Sequence, residues 1–227
     1  MRVLAIDTAL EACSAAVLDT ELASVAAHES LPMVRGHAEA LIPLIARVLE
    51  RARLTFSEID RIAVTTGPGS FTGLRVGISA ARGIALAAAK PAVGLSTLAA
   101  FAAPLIAADD TLPVVAVIDA RHDHVYLQVF GPGGRTLVAP RIVPLREALR
   151  VSATGAPRLI GTAAKILAAA WPASERAPAS IEQRQAPDID WVARLGAAAV
   201  ESSSPPKPLY LRAPDAQPQN AAQLARR

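Results

Sequence analysis

Asp7 and Asp119 each follow an apolar run, VLAI before the first and VVAVI before the second. Each carboxylate therefore stands at a strand end, where a hard oxygen ligand can serve a Mg²⁺ ion. The competing reading makes each a hairpin residue that accepts hydrogen bonds from backbone two positions on. His122 and His124 flank Asp123, and on a strand their rings would share one face, as metal ligands can. No Cys, Asp or Glu at a suggestive spacing joins them, so an exposed hairpin explains the pair with less. His37 stands where a helix begins, and His28 has no motif around it. No Ser-His-Asp or Cys-His arrangement is suggested by spacing elsewhere.

The stretch Ile62 to Ala89, IAVTTGPGSFTGLRVGISAARGIALAAA, holds the remaining candidate. Ile62 to Val64 reads as a buried strand, Gly67, Pro68 and Gly69 stop it, and Ser70 or Thr72 can cap the helix that follows. Backbone N–H groups in such a loop can cradle a phosphate. The two standard versions are absent, because Gly73 is followed by Leu74 and Arg75 instead of Lys-Ser/Thr, and Thr72 occupies the place of a third dinucleotide-binding glycine. Within the helix Gly73, Gly77 and Ala81 recur every four residues and floor a shallow groove on one face. Packing inside the fold and packing against a partner chain both satisfy that pattern.

These residues need a scaffold, and the patterning supplies one. Val3–Ile6, Ala12–Leu18 and Leu22–Ala27 read as three strands. Val114–Ile118, Val125–Phe130 and Arg135–Val138 repeat the plan, and AIDTALEACSAAVLD aligns weakly with VIDARHDHVYLQVF, which puts Asp7 and Asp119 at equivalent strand ends. Between the two sets, His37–Arg53 is an amphipathic helix with Leu41, Leu44, Ile45, Val48 and Leu49 on one side, and Pro43 should break or kink its start. A strand at Ala92–Leu95 and a helix at Thr97–Ala107 follow. The second half adds a helix at Leu145–Val151, a strand at Arg158–Ile160, and helices at Thr162–Trp171 and Ile189–Glu201. Strands alternating with helices in two related units predict an α/β fold.

At 227 residues and 52% hydrophobic content the chain can build a sizeable core. Basic and acidic residues balance, nine of each, over the first hundred positions, so the net charge of +3 does not supply the basic stripe of a nucleic-acid binder. Cys13 stands alone, which excludes an internal disulfide and a multi-cysteine metal site and suits a reducing compartment. Asp7 and Glu11 interrupt any leader-like apolar core at the N-terminus. The uncharged run between Lys90 and Asp109 is divided by Gly94, Ser96, Thr97 and Pro104, and reads as buried core instead of a membrane span.

TTGPGSFTGLRVG, with RGHAEALIPLI before it, IDARHDHVY after it and PLYLR near the C-terminus, resembles the TsaB (YeaZ) family of bacterial tRNA threonylcarbamoyladenosine biosynthesis proteins. The likeness runs over about residues 1 to 212 in the family's order. It implies two tandem subdomains of the actin-like, sugar-kinase-like (ASKHA) ATPase type, the second shortened: residues 1–108 and residues 109–212; from Ser202 the composition turns to Ser, Pro, Gln and Ala, which predicts a poorly ordered tail at 213–227. It also implies a non-catalytic cytoplasmic subunit, without a membrane segment, that binds a TsaD-type catalytic subunit. With a TsaE-type ATPase and ATP it would support threonylcarbamoyl transfer to the tRNA adenosine beside the anticodon. tRNA is then reached through the complex, and a second copy of the chain is the alternative partner in isolation. No tightly bound cofactor is expected here, since ATP and a metal belong to the partner complex.

Under the same resemblance Asp7 and Asp119 mark a vestigial nucleotide or metal position. Thr8 and Ala9 replace the glycine-containing turn expected beneath a phosphate, and Arg121 disfavours a cation beside Asp119. Where TsaD carries an HxxxH metal motif this chain reads GLSTLAAFA, with Thr97 and Phe101 in the histidine places, so no metal site is expected. In the family the two helices at His37–Arg53 and Phe71–Ala89 meet their equivalents in a partner. That assigns the partner surface to Leu41, Ile45 and Val48 on the first helix and to Gly73, Gly77 and Ala81 on the second. Two other classes compete: a small ATP-dependent phosphotransferase or ATPase using Asp7 and Asp119, and a metallopeptidase, against which the missing HxxxH argues.

Overall fold

The computed structural model describes residues 1–212 apart from 154, 202 and 203; the expected tail at 213–227 lies outside the described residues. Two five-stranded sheets share one plan. In the first, β1 (Arg2–Asp7), β2 (Ala12–Asp19) and β3 (Ser24–Pro32) form an antiparallel meander, and β4 (Arg61–Gly67) and β5 (Ala92–Ser96) add in parallel on the other side of β1, giving the order β3-β2-β1-β4-β5. In the second, β6 (Val114–Asp119), β7 (His124–Phe130), β8 (Thr136–Pro144), β9 (Arg158–Gly161) and β10 (Ser180–Gln183) give β8-β7-β6-β9-β10. The parallel connections run through helices, as parallel strands require.

Helices α1 (His37–Ala52) and α2 (Phe71–Ala88) cover one face of the first sheet, where Leu41, Ile45, Val48, Leu74 and Ile78 meet Leu4, Ile6, Val17, Ile62 and Val64. Helices α4 (Leu145–Ser152) and α5 (Ala164–Ala169) cover the outer face of the second. The remaining two are exchanged. Helix α3 (Thr97–Ala108) follows the first sheet but buries Leu98, Phe101 and Leu105 on Val114, Ala116, Ile118 and Ile160 of the second. Helix α6 (Ile189–Ala198) follows the second sheet but buries Ile189, Val192 and Ala193 on Val3, Ala5, Leu18 and Ala63 of the first. Lying between the sheets, α3 is apolar almost all round, which accounts for the long uncharged run in the sequence.

Each exchanged helix ends on a buried arginine at the first position of a strand. Arg61 Nη1 donates to the carbonyls of Gly196, Ala197 and Ala199 at 2.9–3.0 Å, and its Nη2 reaches Glu201 at 2.7 Å. Arg158 Nη1 donates to the Leu105 carbonyl at 2.7 Å, and its Nη2 to the carbonyls of Asp109 and Leu112. The last turn of a helix leaves carbonyls without intrahelical partners and carries partial negative charge, so a guanidinium there answers both needs.

Several boundaries differ from the sequence reading. Strand β3 starts and ends later, after a turn in which Asp19 Oδ1 accepts from the Glu21 N–H at 2.9 Å. Helix α1 runs unbroken through Pro43, because Pro43 and Glu39 both lie on the solvent face, where the carbonyl that proline leaves unpaired meets water. Strand β10 had no sequence expectation.

Replacing Arg158 with Met keeps volume but removes the charged donor from the carbonyls of Leu105, Asp109 and Leu112, of which Leu105 keeps the Asp109 N–H. Hydrogen bonds to a charged donor are worth about 1.5–3 kcal/mol each before compensation. A net loss of about 3 kcal/mol is expected, read as a fall in melting temperature of about 6–12 °C for a chain of this size. Arg184→Ala, which removes an exposed pair with Glu182, should stay within about 0.5 kcal/mol in the same scan.

Candidate functional site

The carboxyl ends of β1 and β4 meet the start of α2, the place where open α/β sheets bind ligands. Asp7, the last residue of β1, is fully buried. Its Oδ1 accepts hydrogen bonds from the Thr65 hydroxyl and from the Ala9 N–H, the latter at 3.2 Å, while Oδ2 finds no partner among the described residues. Burial pushes the carboxyl up to about 6, opposed by the Thr65 and Ala9 hydrogen bonds and by nearby His37. His37 is itself buried, with Nε2 at 3.1 Å from the Leu10 carbonyl.

The glycine loop beside Asp7 is filled by the chain's own backbone. The Ser70 N–H donates to the Ala9 carbonyl at 2.7 Å, the Gly73 N–H is capped by Ser70 Oγ at 3.3 Å, and the Thr8 hydroxyl donates to the Gly73 carbonyl at 2.7 Å. A Cβ on Gly69 would overlap the Ala9 carbonyl, one on Gly73 the Thr8 carbonyl, and one on Gly77 the Thr8 hydroxyl. Small residues are needed here because the Thr8–Ala9 turn lies against the helix.

Asp119 has a different environment. Its side chain is exposed, with Oδ1 accepting from the Arg121 N–H at 2.8 Å, and its own N–H donates to Thr162 Oγ1 at 2.9 Å. It closes the β6–β7 hairpin. His124 Nδ1 lies 2.6 Å from the His122 carbonyl, so the pair is engaged within that turn. Among the described residues no cluster of three or more His, Cys, Asp or Glu side chains could hold a metal. Thr97 and Phe101 are buried, Phe101 between α3 and the second sheet, where a metal pair would have no open approach. Burial pushes the Cys13 thiol up to about 11, which removes it as a nucleophile.

The six residues assigned to a partner surface lie inside this chain. Leu41, Ile45 and Val48 are 0–1% exposed, Ala81 is fully buried, and Gly73 and Gly77 face Thr8. A stripe of small residues shows that something approaches closely, and here that something is the first hairpin. The outward side of the same two helices carries residues the sequence reading missed: Ile42 and Ala46 on α1, and Ser79, Gly83 and Leu86 on α2, with Leu86 85% exposed. A Cβ on Gly83 would meet nothing within 4 Å. Ile42 and Leu86 fall off the apolar arcs of their helices, which was the available signal.

The family described as tRNA N6-adenosine threonylcarbamoyltransferase, TsaD, matches residues 30–183. The Escherichia coli tRNA threonylcarbamoyladenosine biosynthesis protein TsaB is 41% identical over 126 residues, 56% of this chain and 53% of that protein, so the chain spans about half the length of this relative. The solved structure of YeaZ from Pseudomonas aeruginosa superposes with a TM-score of 0.78 at 29% identity, over 92% of this chain and 99% of that one. A polyphosphate/ATP-glucomannokinase from an Arthrobacter strain superposes at 0.52 with 13% identity, over 87% and 98%, which extends the likeness of fold to sugar kinases. No helix among the described residues is long and apolar enough to cross a membrane.

The raised Asp7 carboxyl makes stability depend on pH. In the unfolded chain it ionises near 3.8 and in the folded chain near 6, so folding loses stability as pH rises through that window, by about 3 kcal/mol in order of magnitude. Asp7→Asn removes the ionisation. Its melting temperature relative to the parent should therefore be several degrees more favourable at pH 8 than at pH 4. An equal difference at both pH values would show that Asp7 is not held neutral by burial.

Proposed function

We propose that this chain is a non-catalytic subunit that docks onto a TsaD-type catalytic protein. The premise is membership: the chain belongs to the TsaB (YeaZ) family, within the wider TsaD family that its sequence matches. We assign it accordingly to tRNA threonylcarbamoyladenosine biosynthesis, in the cytoplasm, with ATP, a TsaE-type ATPase and any metal belonging to the assembly. tRNA is met through that assembly.

The observation that carries the reading is the filled glycine loop. The Ser70 N–H donates to the Ala9 carbonyl and the Gly73 N–H to Ser70 Oγ, while the Thr8 hydroxyl donates to the Gly73 carbonyl, so the Thr8–Ala9 turn is packed onto the start of α2 and two of the donors a phosphate would need are taken up. The outward face of α1 and α2 supports the docking half of the proposal. Ile42, Ala46, Gly83 and Leu86 leave an apolar surface with a low profile at Gly83, where a second helix can come close. This moves the expected contact from the buried arcs of both helices to their exposed ones.

One observation favours the phosphotransferase reading: Asp7 is a buried carboxyl with a raised pKa at a strand end and one oxygen unpartnered among the described residues, which is how catalytic carboxylates are often held. Asp119 does not match it, being exposed and tied into its own hairpin.

Two leucine substitutions separate the readings of α2. Gly83→Leu should leave the melting temperature unchanged or raise it, since leucine favours helix over glycine by up to about 1 kcal/mol, and should weaken binding to the TsaD-type protein of the same cell by about 10- to 100-fold. Gly77→Leu should lower the melting temperature by several degrees through the overlap with Thr8. Undiminished affinity in Gly83→Leu would place the partner elsewhere. The purified chain should hydrolyse no ATP above background, and turnover that vanishes in Asp7→Ala would favour the phosphotransferase.

A further inference from the structure

We infer that the segment 206–212 is a built-in strap that ties the first half of the molecule to the β6–β7 turn of the second, in addition to the exchanged helices α3 and α6. After α6 ends near Arg61, the chain passes along β5, with Pro206 buried against Gly94, and arrives at the far end of β4. There the Leu209 N–H donates to the Thr66 carbonyl at 2.8 Å, and the Leu209 carbonyl lies over Gly67, whose φ of 121° suits glycine alone. Tyr210 packs on Phe71 with ring centroids 5.4 Å apart, and its hydroxyl accepts from Arg75 Nε at 3.1 Å. The Arg75 guanidinium in turn lies 3.7 Å from the centre of the Phe71 ring. Three fastenings thus fix the strap to the first half.

The fourth reaches the second half. Arg212 Nη1 donates to the Ala120 carbonyl at 3.1 Å, at the start of the β6–β7 turn. Arg121, His122 and Asp123 in that turn all have positive φ, of 61°, 52° and 56°. Three consecutive non-glycine residues in the left-handed region are costly and persist only where surrounding contacts over-determine them. The contacts that do so include the Ala120 N–H on the His124 carbonyl at 3.0 Å, the His124 N–H on the Arg121 carbonyl at 3.1 Å, His124 Nδ1 beside the His122 carbonyl, the Arg121 N–H on Asp119, the Leu145 N–H on the Asp123 carbonyl at 2.8 Å, and Arg212. Arg212 is the member of that set supplied by the segment fastened to the first half. Loss of the strap should therefore loosen the turn as well as the seam between the halves. The inference stands on these contacts and is independent of the partner role.

Hydrogen exchange of the full chain, compared with Arg212→Ala, with Tyr210→Ala, and with chains ending after Pro208 or after Arg212, tests it. Exchange at residues 119–124 should quicken by about tenfold or more in Arg212→Ala and in the chain ending at Pro208, with β1 and β6 still protected. The chain ending at Arg212 should match the full chain. Unchanged exchange at 119–124 in Arg212→Ala would overturn the inference, and so would the same loosening in the chain ending at Arg212, which would assign the effect to the tail. If the chain ending at Pro208 exchanges everywhere, the two point variants decide: loosening at 119–124 in both supports the strap, and protection in both overturns it.

Discussion

The burial of α3 and α6 between the sheets is the constraint on which the rest depends. Each helix is made by one half and packed on the sheet of the other, and each has its C-terminal carbonyls bound by a buried guanidinium from that other half, Arg61 for α6 and Arg158 for α3. A buried cation is tolerable only where hydrogen bonds replace its hydration, and the last turn of a helix supplies them in number. Neither segment is then a self-contained unit: the portion from residue 109 onward contributes the helix that closes the first core, and the first portion contributes the helix that closes the second.

That arrangement sets what the strand ends can do. With α3 lodged on the second sheet, Phe101 fills the layer between the sheets and Leu10 from the first hairpin packs against the same cluster. The hairpin turn at Thr8 and Ala9 is pressed onto α2, and Gly73 and Gly77 are small because that turn lies on them. Both halves carry an aspartate at the end of their first strand, yet one is buried with an oxygen unpartnered among the described residues and the other is exposed and satisfied within its hairpin. The two equivalent positions are chemically unequal.

Much of the fold was legible in the sequence because its signals are local. The two meanders, the strand-loop-helix at Ile62–Ala89 and the uncharged helix at residues 97–108 follow from alternation, turn residues and apolar runs. Strand β10 was not legible, because Ser180–Gln183 has one long aliphatic residue and pairs only along a sheet edge. The inward or outward sense of the Gly73, Gly77 and Ala81 stripe was equally beyond reach, since a close approach looks the same in sequence whether the approaching backbone is Thr8 of this chain or a helix of another. Arg61 and Arg158 carried no local signal either; a lone arginine before an apolar strand reads as a surface residue until the exchanged helices are seen.

Threonylcarbamoylation of tRNA by a reconstituted mixture of this chain, a TsaD-type protein, a TsaE-type ATPase, ATP and an activated threonylcarbamoyl donor is the most direct measure of the non-catalytic reading. Modification should stop when this chain is omitted and return at near the parental rate when it is replaced by the double variant Asp7→Asn, Asp119→Asn. Loss of modification by that variant, with folding and affinity for the TsaD-type protein intact, would contradict the reading and make these carboxylates part of the chemistry.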